Sequence, residues 1–154
     1  MATTLTADQA FDVQVEVTEH VRGRRSTWVA LAASLARFHA GRGWEALGIE
    51  SFNEWIAQPE ISLGRAEVYA MISAWRELVV ERGVEPERLG ELEITKVAVV
   101  LKSIKSRTVS IDDALSDCEV LSRSDLRAKY QDAEAAEYRL CEACGQRVKV
   151  TTTA

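Results

Sequence analysis

One pair of cysteines has metal-ligand spacing, Cys141-Glu-Ala-Cys144-Gly145. Two thiolates three residues apart can share a zinc ion, and the glycine lets the backbone turn beneath it; zinc takes four ligands. No second Cys-x-x-Cys exists; the third cysteine is Cys118 and the two histidines are His20 and His39. Three arrangements stay open. Two chains pool their pairs around one structural Zn, Cys118 or a histidine completes a site within the chain, or Cys141 and Cys144 are an unmetallated remnant or a redox pair.

A second group surrounds Arg65. In Ser62-Leu-Gly64-Arg65-Ala-Glu67-Val-Tyr69-Ala-Met-Ile-Ser73 the polar side chains fall at the start and on one face of an expected helix. Arginine can hydrogen-bond guanine bidentately and glutamate can accept from cytosine N4. Tyrosine and serine can reach phosphate, sugar or base edges. A helix N-terminus with free N–H groups suits a phosphate, so Ser62 joins the phosphate candidates, and Gly64, Arg65, Glu67, Tyr69 and Ser73 are the expected base contacts.

The third group is basic. Between Val21 and Trp44 lie five arginines (Arg22, Arg24, Arg25, Arg37, Arg42) and no acid; between Ile94 and Ile111 lie Lys96, Lys102, Lys105 and Arg107, again without an acid. These windows hold nine of the 19 basic residues of a chain with net charge −5. The overall acidity, with pI about 5.2, argues against a non-specific nucleic-acid binder, while the segregation allows a local positive face. Arg24, Arg25, Lys102, Lys105 and Arg107 are the expected phosphate contacts.

Catalytic patterns are missing. There is no G-x-x-x-x-G-K, G-x-G-x-x-G, H-E-x-x-H or G-x-S-x-G, so no phosphate loop, zinc protease or nucleophile elbow is expected. The acidic pairs Asp112-Asp113 and Glu91/Glu93 read as capping or solvated faces, and His39 as a helix C-terminal residue in favourable contact with the dipole. Neither an enzymatic activity nor a small-molecule substrate is expected.

The elements that must position these residues read as helices. The 154 residues are 47% hydrophobic with two prolines, enough for one folded domain with a small tail. Residues 1–17 read as an N-terminal arm, partly disordered or a lone strand. Its segment from Phe11 to Val17 alternates apolar and polar; it is either an arm that pairs with a second copy or the entry to the first helix. A helical domain follows over 18–137, and a Cys-x-x-Cys tail over 138–154. The spacing predicts a helix over 18–40, from Trp28, Leu31, Leu35 and Phe38. Ser51-Phe-Asn-Glu54 is a capping-box pattern opening a short helix that Pro59 stops. A helix over 65–81 follows, apolar at Val68, Ile72, Trp75 and Val79, and Gly83 closes it. Further helices are expected over 95–105, 111–118 and 123–137. Trp28, Trp55 and Trp75 fall on apolar faces and read as core; Trp44 is less determined. The fold class is all-α, with residues 51–75 shaped like a helix-turn-helix.

Phe52-Asn-Glu-Trp-Ile56, Ile61-Ser62-Leu-Gly-Arg-Ala-Glu-Val-Tyr69 and Met71-Ile72 resemble the helix-turn-helix of small phage and plasmid regulators. They are similar to the central DNA-binding module of the ParB/KorB partition family. Residues 89–96 and their helix sit where that family places a supporting helix, and Leu121-Ser-Arg-Ser-Asp-Leu126 is similar to a phrase that closes such phage proteins. The resemblance spans residues 29–130; the nucleotide-binding N-terminal portion of the partition proteins has no counterpart. It implies sequence-specific binding of double-stranded DNA by a transcription regulator. A homodimer is expected, because one unit reads few base pairs. The rival expectation is an acidic helical adaptor that binds a host protein. No signal pattern opens the sequence and no apolar run approaches the ~18–20 residues of a membrane span, so a cytoplasmic location is expected.

Overall fold

A computed structural model describes residues 3–23, 27–130, 138–140 and 143–149. The chain is built of helices: α1 Ala7–Arg22, α2 Trp28–Ala40, α3 Gly43–Ala46, α4 Phe52–Ile56, α5 Arg65–Ala74, α6 Pro86–Gly90, α7 Ile94–Lys105, α8 Ile111–Val120 and α9 Arg123–Tyr130. A π-helical segment, Trp75–Glu81, prolongs α5. Two short antiparallel strands, β1 Tyr138–Leu140 and β2 Arg147–Lys149, pair with Arg139 opposite Val148. None of the described helices is long and apolar enough to cross a membrane.

Of the two readings of the N-terminal segment, the arm or lone strand is overturned and the helical one holds: residues 7–17 are most of α1. Thr6 and Gln9 form a complete capping box, the Gln9 N–H donating to Thr6 Oγ1 and the Thr6 N–H to Gln9 Oε1. Ala10, Val13 and Val17 are wholly buried against α2 while Phe11 and Val15 are exposed. Val13 and Val17 belong to both a period of two and a period of 3.6. The helical stripe wins because it alone finds a partner surface. The boundary at residue 17 therefore falls inside one helix of the core.

The helix expected over 18–40 is also two helices. Gly23 caps α1, its N–H donating to Glu19 O at 2.7 Å, and Thr27 sits at the start of α2. By contrast the serines act as N-caps, although no bond from the Ser51 N–H to the Glu54 side chain completes the expected capping box. Ser51 accepts the Glu54 N–H, Ser110 the Asp113 N–H and Ser122 the Asp125 N–H, at 3.1, 3.2 and 3.1 Å. Each satisfies a donor that a helix start leaves open.

Two cores result. The first gathers α1, α2, α4 and α5 around Leu35, Phe38, Trp55 and Met71. The second gathers α7, α8 and α9 around Val97, Val100, Leu115 and Leu126. Trp28 and Trp75 lie between them, half-buried, and Trp28 Nε1 donates to Leu92 O at 2.8 Å. Within the π-helical segment the wider turn brings residues five apart onto one face. There the nearly buried Glu77 carboxylate receives two hydrogen bonds from Arg82, at 2.9 and 3.1 Å. Gly83 then ends the helix at φ 67°, where a side chain would be strained.

Candidate nucleic-acid interface

The surface begins with the turn between α4 and α5. The N–H groups of Ile61 and Ser62 both donate to Gln58 O, at 3.0 and 2.8 Å. Ile61 is buried and anchors the turn to the first core, leaving Ser62 and Gly64 exposed. Ser62, not the glycine, takes the left-handed conformation, with φ 45°. Gly64 has the ordinary extended backbone of an N-cap, so its value there is small size rather than unusual φ.

From Gly64 the chain enters α5. Val68, Met71, Ile72 and Ala74 are buried, while Arg65, Ala66, Glu67 and Tyr69 are exposed. The Tyr69 hydroxyl donates to Asn53 Oδ1 at 3.2 Å, tying the exposed face of α5 to α4. Helix α7 packs alongside α5. Between them runs a shallow groove of about 370 Å³, lined by Tyr69, Ala70 and Ser73 from α5 and by Ala98, Leu101, Lys102 and Lys105 from α7. Tyr69, Ser73, Lys102 and Lys105 thus share one surface, although about thirty residues separate the two pairs in sequence. Arg107 lies exposed two residues beyond α7, at φ 57°, outside the groove lining. Arg65, Lys105 and Arg107 make no ion pair among the described residues.

No family model, curated protein or solved structure matches the chain.

The groove is therefore read from its own chemistry: two cations along one wall and two hydroxyl groups along the other can hold a phosphate backbone. The arginine-rich window is less available than its sequence implies. Arg37 reaches Glu16 at 3.4 Å and Arg42 pairs with Glu45, so acids outside the window engage two of its five arginines. Arg24 and Arg25 lie outside the described residues.

Sequence reasoning missed Asn53, which orients Tyr69, and Arg76. Arg76 is exposed seven residues beyond Tyr69 and hydrogen-bonds His39 Nδ1 at 2.9 Å. The seven-residue spacing was the available signal. His39 sits among Trp44, Phe52 and Tyr69, ring centroids 5.7, 4.7 and 6.0 Å away. Burial, and then the Arg76 guanidinium, push its pKa below 6.5. The expected favourable interaction with the helix dipole would raise it, so the aromatic pocket outweighs the dipole. Because the folded value lies below the unfolded one, the stabilisation is present above pH 6.5 and is lost as pH falls through the folded value. Thermal melting should therefore fall more steeply between neutral and mildly acidic pH in the wild type than in His39→Gln. Parallel pH profiles would show that His39 does not carry this dependence.

The cysteines part company. Cys118 is buried in the second core and its pKa is pushed up to about 11, chiefly by burial. Burial thus disfavours its thiolate. Cys144 is exposed in the turn between β1 and β2, followed by Gly145 at φ 68°. Cys141 lies outside the described residues. Among those residues no group of three or more metal-ligating side chains occurs. Gly41 and Gly43 serve packing: a Cβ on Gly41 would lie 2.4 Å from the Leu5 side chain, and one on Gly43 2.4 Å from the Phe38 ring. The acidic pair Asp112-Asp113 works at the start of α8, where Asp112 meets Arg88 at 2.7 Å and Asp113 is capped by Ser110.

Proposed function

We propose that the chain is a sequence-specific binder of double-stranded DNA. In this reading it is a transcription regulator of the phage or plasmid type that acts as a homodimer. Residues 51–75 are its helix-turn-helix and α5 is the helix that enters the major groove. One observation carries the proposal: Tyr69 and Ser73 of α5 face Lys102 and Lys105 of α7 across a single groove. The exposed Arg65 and Glu67 stand in the first turn of α5. In this arrangement Arg65 and Glu67 read base edges, Gly64 admits the backbone closely, and Tyr69 and Ser73 contact the strand flanking the read bases. Ser62, Lys102, Lys105 and Arg107 hold phosphates.

The experiment is fluorescence anisotropy with tiled duplexes at several salt concentrations. Wild-type protein should select among duplexes and bind them less tightly as salt rises. Arg65→Ala should lose about 1–3 kcal/mol on the preferred duplex, roughly ten- to a hundredfold, and most of its selectivity. Flat binding across all duplexes at low salt would overturn the reading in favour of a protein partner.

A further inference from the structure

Three helices and the π-helical segment converge on His39. The residue lies half-buried in the last turn of α2. Its ring packs edge-on against Phe52 of α4 and Tyr69 of α5, with interplanar angles of 78° and 82°, and Trp44 of α3 lies against it at 42°. Arg76 of the π-helical segment meets its Nδ1 at 2.9 Å. A guanidinium has donors and no acceptor, so Nδ1 must accept and the ring proton must sit on Nε2. This bond exists only in the neutral imidazole, because the proton that charges the ring occupies Nδ1. An imidazolium would then face the guanidinium as a like charge.

No acid stands by to compensate. Glu16 of α1 pairs with Arg37, and Glu45 of α3 with Arg42. Glu54 on α4 and Glu67 on α5 are exposed. Glu81 lines the same depression as Arg76. Among the described residues none of these acids pairs with His39 or Arg76. The titratable or charged groups in contact with the ring are thus Arg76 and Tyr69. Tyr69 also lines the α5–α7 groove with Lys102 and Lys105. Tyr69, Ser73 and Arg76 are spaced four and three residues apart, so Arg76 continues one helical stripe.

We propose that His39 is a proton-operated clasp on this surface. Neutral, it holds Arg76 and backs the Tyr69 ring; protonated, it releases Arg76 and leaves two positive charges beside Tyr69, so the surface holds a phosphate backbone more tightly as pH falls. Burial and the Arg76 charge keep the His39 pKa below 6.5, so the clasp is closed at neutral pH and opens in mild acid. By linkage, bound phosphate favours the protonated ring to the same degree. The effect on DNA rests on the regulator reading; the clasp itself does not, and it is measured without DNA.

The first measurement is nitrogen NMR of the histidine side chains in the full chain through pH, with His39 assigned by its loss in His39→Gln. At neutral pH His39 should carry its proton on Nε2, and Arg76→Ala, a change at an exposed position, should raise its titration midpoint. A neutral-pH proton on Nδ1 overturns the clasp, as does a midpoint that Arg76→Ala leaves in place. The second is anisotropy with the preferred duplex over the pH range in which circular dichroism shows wild type and His39→Gln both folded. Glutamine cannot take up the charge, and its amide oxygen can keep the Arg76 bond. On acidification wild-type affinity should rise at least about threefold more than that of His39→Gln, and its salt slope should steepen by roughly 0.9 for each further phosphate neutralised. Equal pH profiles in the two proteins overturn the coupling and leave the regulator reading intact. Binding to no duplex at any pH overturns that reading and the coupling together, with the clasp still decided by NMR.

Discussion

Trp55→Ala is expected to lower the free energy of unfolding by about 3–5 kcal/mol, measured by urea denaturation followed by circular dichroism. The indole is wholly buried. It stacks on Phe38 with centroids 4.0 Å apart and an interplanar angle of 24°, and lies 5.6 Å from Phe52. Its Nε1 donates to Gln14 Oε1 at 2.8 Å, a bond from α4 to α1. Truncation removes the transfer energy of a large aromatic, opens a cavity and leaves the Gln14 amide without its donor. The site cannot collapse easily, because α4 has only five residues and Trp55 is one of its three buried anchors. Trp55→Phe keeps much of the ring packing and loses the N–H, so about 1–2 kcal/mol is expected. An alanine cost below about 1 kcal/mol would mean that α4 is held by something other than this stack. The effect reaches the exposed face of α5, since α4 carries the Asn53 that orients Tyr69.

Lys102→Ala/Lys105→Ala should weaken DNA binding on every duplex alike. The slope of log affinity against log salt should become shallower by roughly 0.9 for each phosphate that is no longer neutralised, so by nearly two for the pair. Both lysines are exposed in the last turn of α7, and stability should change little. Their signature differs from that of Arg65→Ala, which should erase preference among duplexes while leaving most of the salt slope. Anisotropy titrations at four or more salt concentrations separate the two. An unchanged slope in the double variant would place the lysines away from the phosphates.

This surface was unevenly legible in the sequence. Arg65, Glu67 and Tyr69 could be assigned to one exposed helix face from spacing, because Val68 and Ile72 mark the opposite face. Lys102 and Lys105 could be assigned to a face of α7 in the same way. Nothing local says that those faces adjoin. Likewise an acid-free window of sequence does not make an acid-free surface: Glu16 reaches Arg37 from the neighbouring helix α1.

Some features of this protein follow from sequence alone. The helices begin at Ser51, Ser110 and Ser122, and one closes at Gly83. The apolar stripes of α2, α5 and α7 are set in the same way, as is the lack of recognisable catalytic motifs. These depend on contacts within three or four residues, which a sequence displays directly. Other features were decided only by tertiary structure. The alternating segment 11–17 became helix because Ala10, Val13 and Val17 found α2 to pack against. His39 lost proton affinity because aromatic rings and Arg76 surround it. Tyr69 and Ser73 came to face Lys102 and Lys105 because α5 and α7 pack side by side. Each of these depends on side chains distant in sequence, brought together by the burial of two apolar cores, and that juxtaposition leaves no periodic trace in the chain.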